Sequence, residues 1–270
     1  MKLINTSLLV SVLALGTLSA RAQAPAATAP ADPAPAAPSS SWTFTPSFAS
    51  QYMFRGARLG GPSFQPAIEY DAGSLALGVW SNFPIKDKVD GQSDPEFDIY
   101  GSYTIEVIKD TLTWVPGFTI YTYPNADKNL GFYKDTIEPN IAVNYTVGGV
   151  KLTPKLYYDL VLKGPTYEIT AAYTVPLKDA NTELDFTATY GTFKWTDAFE
   201  NTDPKAKNWG DYYLIGVAAP FQINASSKFT IGFAYTKGSN NYVKIGTDHK
   251  MLNPAAVGRG VITLSYAITF

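Results

Sequence analysis

Apolar and polar side chains alternate along most of this chain. From Gly260 to Phe270, the residues Ile262, Leu264, Tyr266, Ile268 and Phe270 fall on one parity. Thr263, Ser265, Ala267 and Thr269 fall on the other. Successive side chains of an extended strand leave opposite faces, so strict alternation predicts a β-strand with one greasy and one polar face. The same period divides residues 41–270 into about twelve strands.

The first predicted strand runs from Trp42 to Arg55, with Trp42, Phe44, Pro46, Phe48, Tyr52 and Phe54 on its apolar face. The second, Ser63 to Asp71, sets Phe64, Pro66, Ile68 and Tyr70 against Gln65 and Glu69. Leu75, Leu77, Val79 and Phe83 mark the third. Phe97, Ile99, Tyr103, Ile105 and Val107 mark the fourth, opposite Glu96, Asp98, Ser102, Thr104 and Glu106. The fifth carries Leu112, Trp114, Phe118 and Ile120. The sixth sets Ile137, Pro139, Ile141, Val143, Tyr145 and Val147 against Glu138, Asn140, Asn144 and Thr146. The seventh sets Leu152, Pro154, Leu156, Tyr158 and Leu160 against Lys151, Lys155, Tyr157 and Asp159. The eighth carries Tyr167, Ile169, Tyr173 and Val175 against Glu168. The ninth carries Leu184, Phe186 and Tyr190 against Glu183 and Asp185. The tenth, Asp211 to Phe221, has no clear parity. The eleventh sets Phe229, Ile231, Phe233 and Tyr235 against Lys228 and Thr230, and the twelfth ends at Phe270.

Connection lengths separate a membrane barrel from a soluble sandwich. Short links at Asp71–Gly73, Lys109–Asp110, Gly148–Gly149, Lys178–Asn181 and Asn224–Ser226 alternate with longer ones. The longer ones lie at Gly56–Gly61, Pro84–Asp94, Pro124–Gly131, Val161–Pro165, Thr196–Asn208 and Lys237–Arg259. Short turns on one side and long loops on the other characterise outer-membrane barrels. Aromatics near the strand ends (Trp42, Tyr70, Phe97, Tyr145, Tyr167, Tyr235, Phe270) fit interfacial girdles. No apolar run after Leu18 is long enough for a membrane helix. The predicted fold is therefore all-β: a transmembrane, antiparallel, up-and-down β-barrel of about twelve strands over residues 41–270. Its predicted location is the outer membrane of a Gram-negative bacterium.

The N-terminus fits that destination. Lys2, the apolar stretch Leu8 to Leu18 and Ala20-Arg21-Ala22 have the layout of a cleaved signal peptide over residues 1–22. Residues 23–40 are almost wholly Ala, Pro, Ser and Thr, which suits an extended periplasmic linker.

Composition narrows the chemistry. The formal net charge is −2, which argues against nucleic acid as a partner. With no cysteine there is no disulfide scaffold or thiol chemistry. The one histidine, His249, sits in a long connection beside Lys250, no strand pairs it with a serine, and no G-x-S-x-G occurs. Neither an enzyme, a metal centre nor a cofactor is expected. Asp87, Asp90, Gly91 and Asp94 have the wrong spacing for an EF-hand.

The parity opposite the greasy face should look into the lumen. It carries Arg55, Glu69, Glu96, Asp98, Lys134, Glu138, Lys155, Asp159, Glu168, Asp185 and Lys228 as candidate pore-lining residues. Such a wall can line a polar pore, or it can form an ion-pair network that plugs a narrow barrel, since twelve strands lie between filled and open sizes. Arg55, beside Gly56 at the outer mouth, is expected either to clamp Glu96 or Asp98 or to meet permeating anions.

One stretch also carries a family resemblance. Ser50-Gln-Tyr-Met-Phe-Arg-Gly56, Pro66-Ala-Ile-Glu-Tyr70 and Leu77-Gly-Val-Trp-Ser-Asn82 resemble the first strands of the TorF-like porins, a conserved hypothetical outer-membrane family. The close match spans about residues 48–83. The resemblance implies an outer-membrane barrel with a channel role and no assigned substrate, and the function expected of the chain is passive diffusion of small polar solutes. The alternative is a closed structural or adhesion-type barrel whose outer loops bind a partner. Expected partners are outer-membrane lipids and lipopolysaccharide, small polar solutes, and the barrel-assembly machinery through the strand ending in Phe270.

Overall fold

A computed structural model describes residues 40–87, 95–126, 134–161, 163–194, 209–239 and 258–270. The expected signal peptide, all but the last residue of the expected linker, His249 and much of the long connections lie outside these.

The described strands are β1 (Ser41–Thr45), β2 (Ser47–Ala49), β3 (Tyr52–Phe54), β4 (Ala57–Gly60), β5 (Ser63–Phe64), β6 (Ala67–Ala72), β7 (Leu75–Pro84), β8 (Glu96–Tyr103) and β9 (Ile105–Ile108). They continue with β10 (Leu112–Thr122), β11 (Asp135–Val147), β12 (Val150–Asp159), β13 (Gly164–Leu177), β14 (Thr182–Lys194), β15 (Trp209–Asn224), β16 (Ser227–Gly238) and β17 (Arg259–Thr269). All but β3 and β4 join one antiparallel sheet, which closes into a barrel of 12 staves. The pairs β1 with β2, β5 with β6, and β8 with β9 each make one stave, and the other barrel strands make one each.

Closure is explicit in the register. Thr43 pairs with Thr269, Phe44 with Ile268, and Phe48 with Leu264. Trp42 and Phe270 exchange backbone hydrogen bonds of 3.2 and 2.8 Å. A closed sheet leaves no unpaired edge, which a bilayer requires of any spanning β-structure.

The predicted parity decides which face is which. Ile68, Val79, Ile99, Ile141, Ile169, Ile231 and Leu264 are exposed on the outer face. Aromatics gather toward both rims of that face. Trp42 and Tyr70 meet at 4.9 Å at the short-turn end, while Tyr167 stacks on Trp209 at 6.4 Å and Tyr213 meets Tyr235 at 6.1 Å at the other. The tenth stave, β15, turns Trp209, Tyr213 and Ile215 outward and Tyr212 inward. Its sequence parity is blurred because Asp211 joins the outward set, where it accepts a hydrogen bond from the Tyr190 hydroxyl (3.1 Å), and Leu214 joins the inward set.

Prolines sit where the ladder can spare a donor. Pro46 separates β1 from β2, and Pro66 separates β5 from β6. Between β11 and β12 the register runs from Asn140↔Tyr157 to Ala142↔Lys155 and resumes at Tyr145↔Leu152. Pro154 falls in its gap and Pro139 just before its first pair, yet each pairs normally on its other side, with Ile169 and Phe118.

One predicted strand is corrected. The first barrel strand ends at Ala49 and does not continue to Arg55. Residues 52–60 leave the wall as the separate two-stranded hairpin β3–β4. Arg55 (φ 46°) and Gly56 (φ 79°) occupy its turn, and two successive left-handed residues match the twist of a tight hairpin. Tyr52, Met53 and Phe54 are apolar in succession and break the alternation, since the hairpin packs on both faces inside the barrel.

Candidate functional site

The hairpin crosses the barrel interior. It leaves between the first two staves, and its tip reaches the far wall. Arg55 donates from Nη1 to Glu138 Oε1 and from Nη2 to Glu138 Oε2, both at 2.8 Å, onto β11. Its guanidinium lies 4.7 Å from the ring centre of Tyr157 on β12. The Gly56 carbonyl accepts a hydrogen bond from the Gly238 amide at 2.9 Å, at the end of β16. A methyl group on Gly56 would lie 2.4 Å from that same nitrogen, so glycine is required here by space as well as by φ.

The hairpin is also packed along its length. Tyr52 meets Trp80 with ring centres 5.8 Å apart and clusters with Tyr100, while Met53 packs against Ala49 and Val261. Phe54 approaches Tyr121 edge-on at 6.0 Å.

Tyrosine hydroxyls service the interior carboxylates. Tyr52 and Tyr123 donate to Glu96 at 2.5 and 2.8 Å, Tyr121 donates to Glu138 at 3.0 Å, and Tyr157 and Tyr212 donate to Glu168 at 3.3 and 2.6 Å. Two of these rows share one construction. Glu168, Gly191 and Tyr212 are aligned across β13, β14 and β15, and Glu69, Gly78 and Tyr100 across β6, β7 and β8. In each row the tyrosine ring lies over the glycine and its hydroxyl reaches the glutamate two strands away. A methyl group at Gly191 would sit 2.2 Å from Tyr212 Cζ, and one at Gly78 2.3 Å from Tyr100 Cζ.

Ten of the eleven candidate residues lie on the inner face or in the hairpin. Arg55, Glu96, Asp98 and Glu138 come together beneath the hairpin, with exposures of 3, 1, 2 and 1 %. Asp98 Oδ1 has no hydrogen-bond partner among the described residues. Asp159 accepts from Thr136 Oγ1 at 2.7 Å and Glu168 lies nearby in the same half, while Lys155 holds its Nζ 4.5 Å from the Tyr157 ring centre. Toward the short turns, Glu69 accepts from Tyr100, and Asp185 accepts from Thr174 at 2.6 Å and feels the charge of Lys228.

One expectation needs correction. Arg55 clamps Glu138, not Glu96 or Asp98, because the inward hairpin carries it past the near wall. Lys134 is exposed one residue before β11 begins, where its carbonyl accepts a hydrogen bond from the Tyr123 amide. The interior tyrosines and Trp80 were not among the candidates. The signal was available, since aromatic residues on an otherwise polar parity must be covered by something. Of the weaker candidates, Asp90, Gly91, Asp94 and His249 lie outside the described residues.

Comparisons fit this architecture. A NanC porin shares 10 % identity, with 84 % of this chain and 98 % of that one covered and a TM-score of 0.53. A KdgM porin shares 10 % identity over 85 % of this chain and 99 % of that one, at a TM-score of 0.49. An outer membrane channel from Pseudomonas putida F1 shares 10 % identity over 89 % and 100 %, at 0.48. The NanC porin carries the comparison, and at this identity the likeness is one of fold. No curated protein matches the chain. The family model that matches assigns no function and does not carry the TorF-like name. It spans residues 35–257, and the chain therefore belongs to the family described as "Bacterial protein of unknown function (Gcw_chp)".

Proposed function

We propose that this protein is an outer-membrane channel for passive diffusion of small polar solutes. The observation that carries the reading is the inversion of the barrel. Its outer face is apolar with aromatic rims, while Arg55, Glu96, Asp98, Glu138, Glu168 and Asp185 are enclosed. A soluble β-protein does the reverse, because exposed apolar area in water is unfavourable by about 25 cal/mol per Å². The TorF-like resemblance over residues 48–83 supports the same reading. Lipopolysaccharide around the outer rim and the barrel-assembly machinery at the C-terminal strand are the partners this location entails.

A second reading has its own support. The hairpin 52–60 spans the lumen, as a closed structural or adhesion-type barrel would allow. Planar-bilayer recording separates the two. Purified, refolded protein should add discrete conductance steps to a lipid membrane. Currents no different from a protein-free detergent control, both for the intact protein and for a barrel lacking residues 52–60, would favour the closed barrel.

A further inference from the structure

We infer that the β3–β4 hairpin is a latched plug, and that its release uncovers a carboxylate lining that favours cations. This rests on the channel reading. The hairpin belongs to no ladder of the barrel wall. Its tip is held by the two-pronged Arg55–Glu138 contact, by one backbone bond from Gly238 and by the Tyr157 ring. Such contacts can be exchanged for water without unzipping any stave, whereas a wall strand cannot leave without opening the barrel.

What lies under the hairpin points to the ion. Glu96, Asp98 and Glu138 are almost fully covered, and Arg55 is ion-paired with Glu138 at 2.8 Å. Asp98 and Glu96 set their carboxyl groups against one another, and Asp98 Oδ1 is buried with no donor from any other side chain among the described residues, a close pair of acids that a bound cation would relieve. If the hairpin swings away, Arg55 leaves with it. The exposed wall then carries three carboxylates, Glu96, Asp98 and Glu138, against one nearby cation among the described residues, Lys155, and a permeating cation can take the place of the guanidinium.

The test is electrophysiological, on full-length protein in planar bilayers with a KCl gradient. Folding is monitored by the difference in gel mobility between unheated and heated samples. Glu138→Gln keeps the shape of the side chain and removes the charge of the latch. It should raise the open fraction by about tenfold or more, the shift expected when a charge-assisted pair is lost. The reversal potential should then lie on the cation side, and adding Asp98→Asn should move it toward zero. Arg55→Lys, which keeps the charge but loses the paired geometry, should open the channel in the same direction and serves if Glu138→Gln does not fold. A barrel in which residues 52–60 are replaced by two glycines provides the reference for the open state. If that barrel carries no current, the channel reading falls and the plug with it. If it conducts but the latch variants behave as wild type, the latch is overturned. If they open without cation preference, the carboxylate lining is overturned.

Discussion

Arg55 and Glu138 illustrate what a single pair does inside a narrow barrel. Both are buried and joined by two hydrogen bonds of 2.8 Å. Removing one partner of such a pair leaves an uncompensated charge, at a cost of about 3–5 kcal/mol. Arg55→Met should therefore lower the urea midpoint of the folded barrel substantially, and Arg55→Met with Glu138→Met should recover much of the loss. A double variant no more stable than the single one would contradict this account. The glycines of the tyrosine rows make a second prediction. Gly191→Ala forces the Tyr212 ring off its seat, because the new methyl lies 2.2 Å from Cζ. Overpacking of this kind costs about 1–3 kcal/mol, and the same unfolding measurement should register it. The importance of Arg55 was legible because it ends the first predicted strand beside Gly56, within the stretch that carries the family resemblance. Its partner was not, since Glu138 stands 83 positions away and only the hairpin's direction selects it from the other inner carboxylates.

At the scale of the strand, parity is the quantity that matters. Leu264 faces outward on β17, and Thr263 faces inward. Leu264→Arg should cost about 2–4 kcal/mol if it meets the hydrocarbon midplane, and Thr263→Arg much less. Refolding yields and urea midpoints in lipid vesicles compare them directly, and equal costs would undo the assignment of faces. Most strands could be read from this period because a sheet with one greasy and one polar face imposes it on every residue. It fails in two informative places. In β15, Asp211 and Leu214 sit on the sides opposite to their polarity, so the pattern is blurred. In residues 52–60, Tyr52, Met53 and Phe54 are apolar in succession because both faces of the hairpin are inside the barrel. The Arg55-Gly56 turn is the local sign of the second case, because left-handed backbone at two successive positions reverses a strand.

For the whole molecule, the greasy exterior and charged interior predict how it behaves in purification. The folded protein should remain monodisperse only with detergent or lipid present, and size-exclusion chromatography after detergent removal should find it aggregated. A stable detergent-free monomer would refute the membrane assignment. By itself, the sequence determined the strands, their faces, the alternation of short and long connections and the enclosure of the charges. Those properties follow from local periodicity and turn chemistry, which act over a few residues. The register in which β17 meets β1 and β2, the passage of the hairpin across the lumen, and the pairing of Arg55 with Glu138 were decided by the tertiary structure alone. They depend on which distant strands become neighbours, and a closed sheet settles that only when its last stave meets its first.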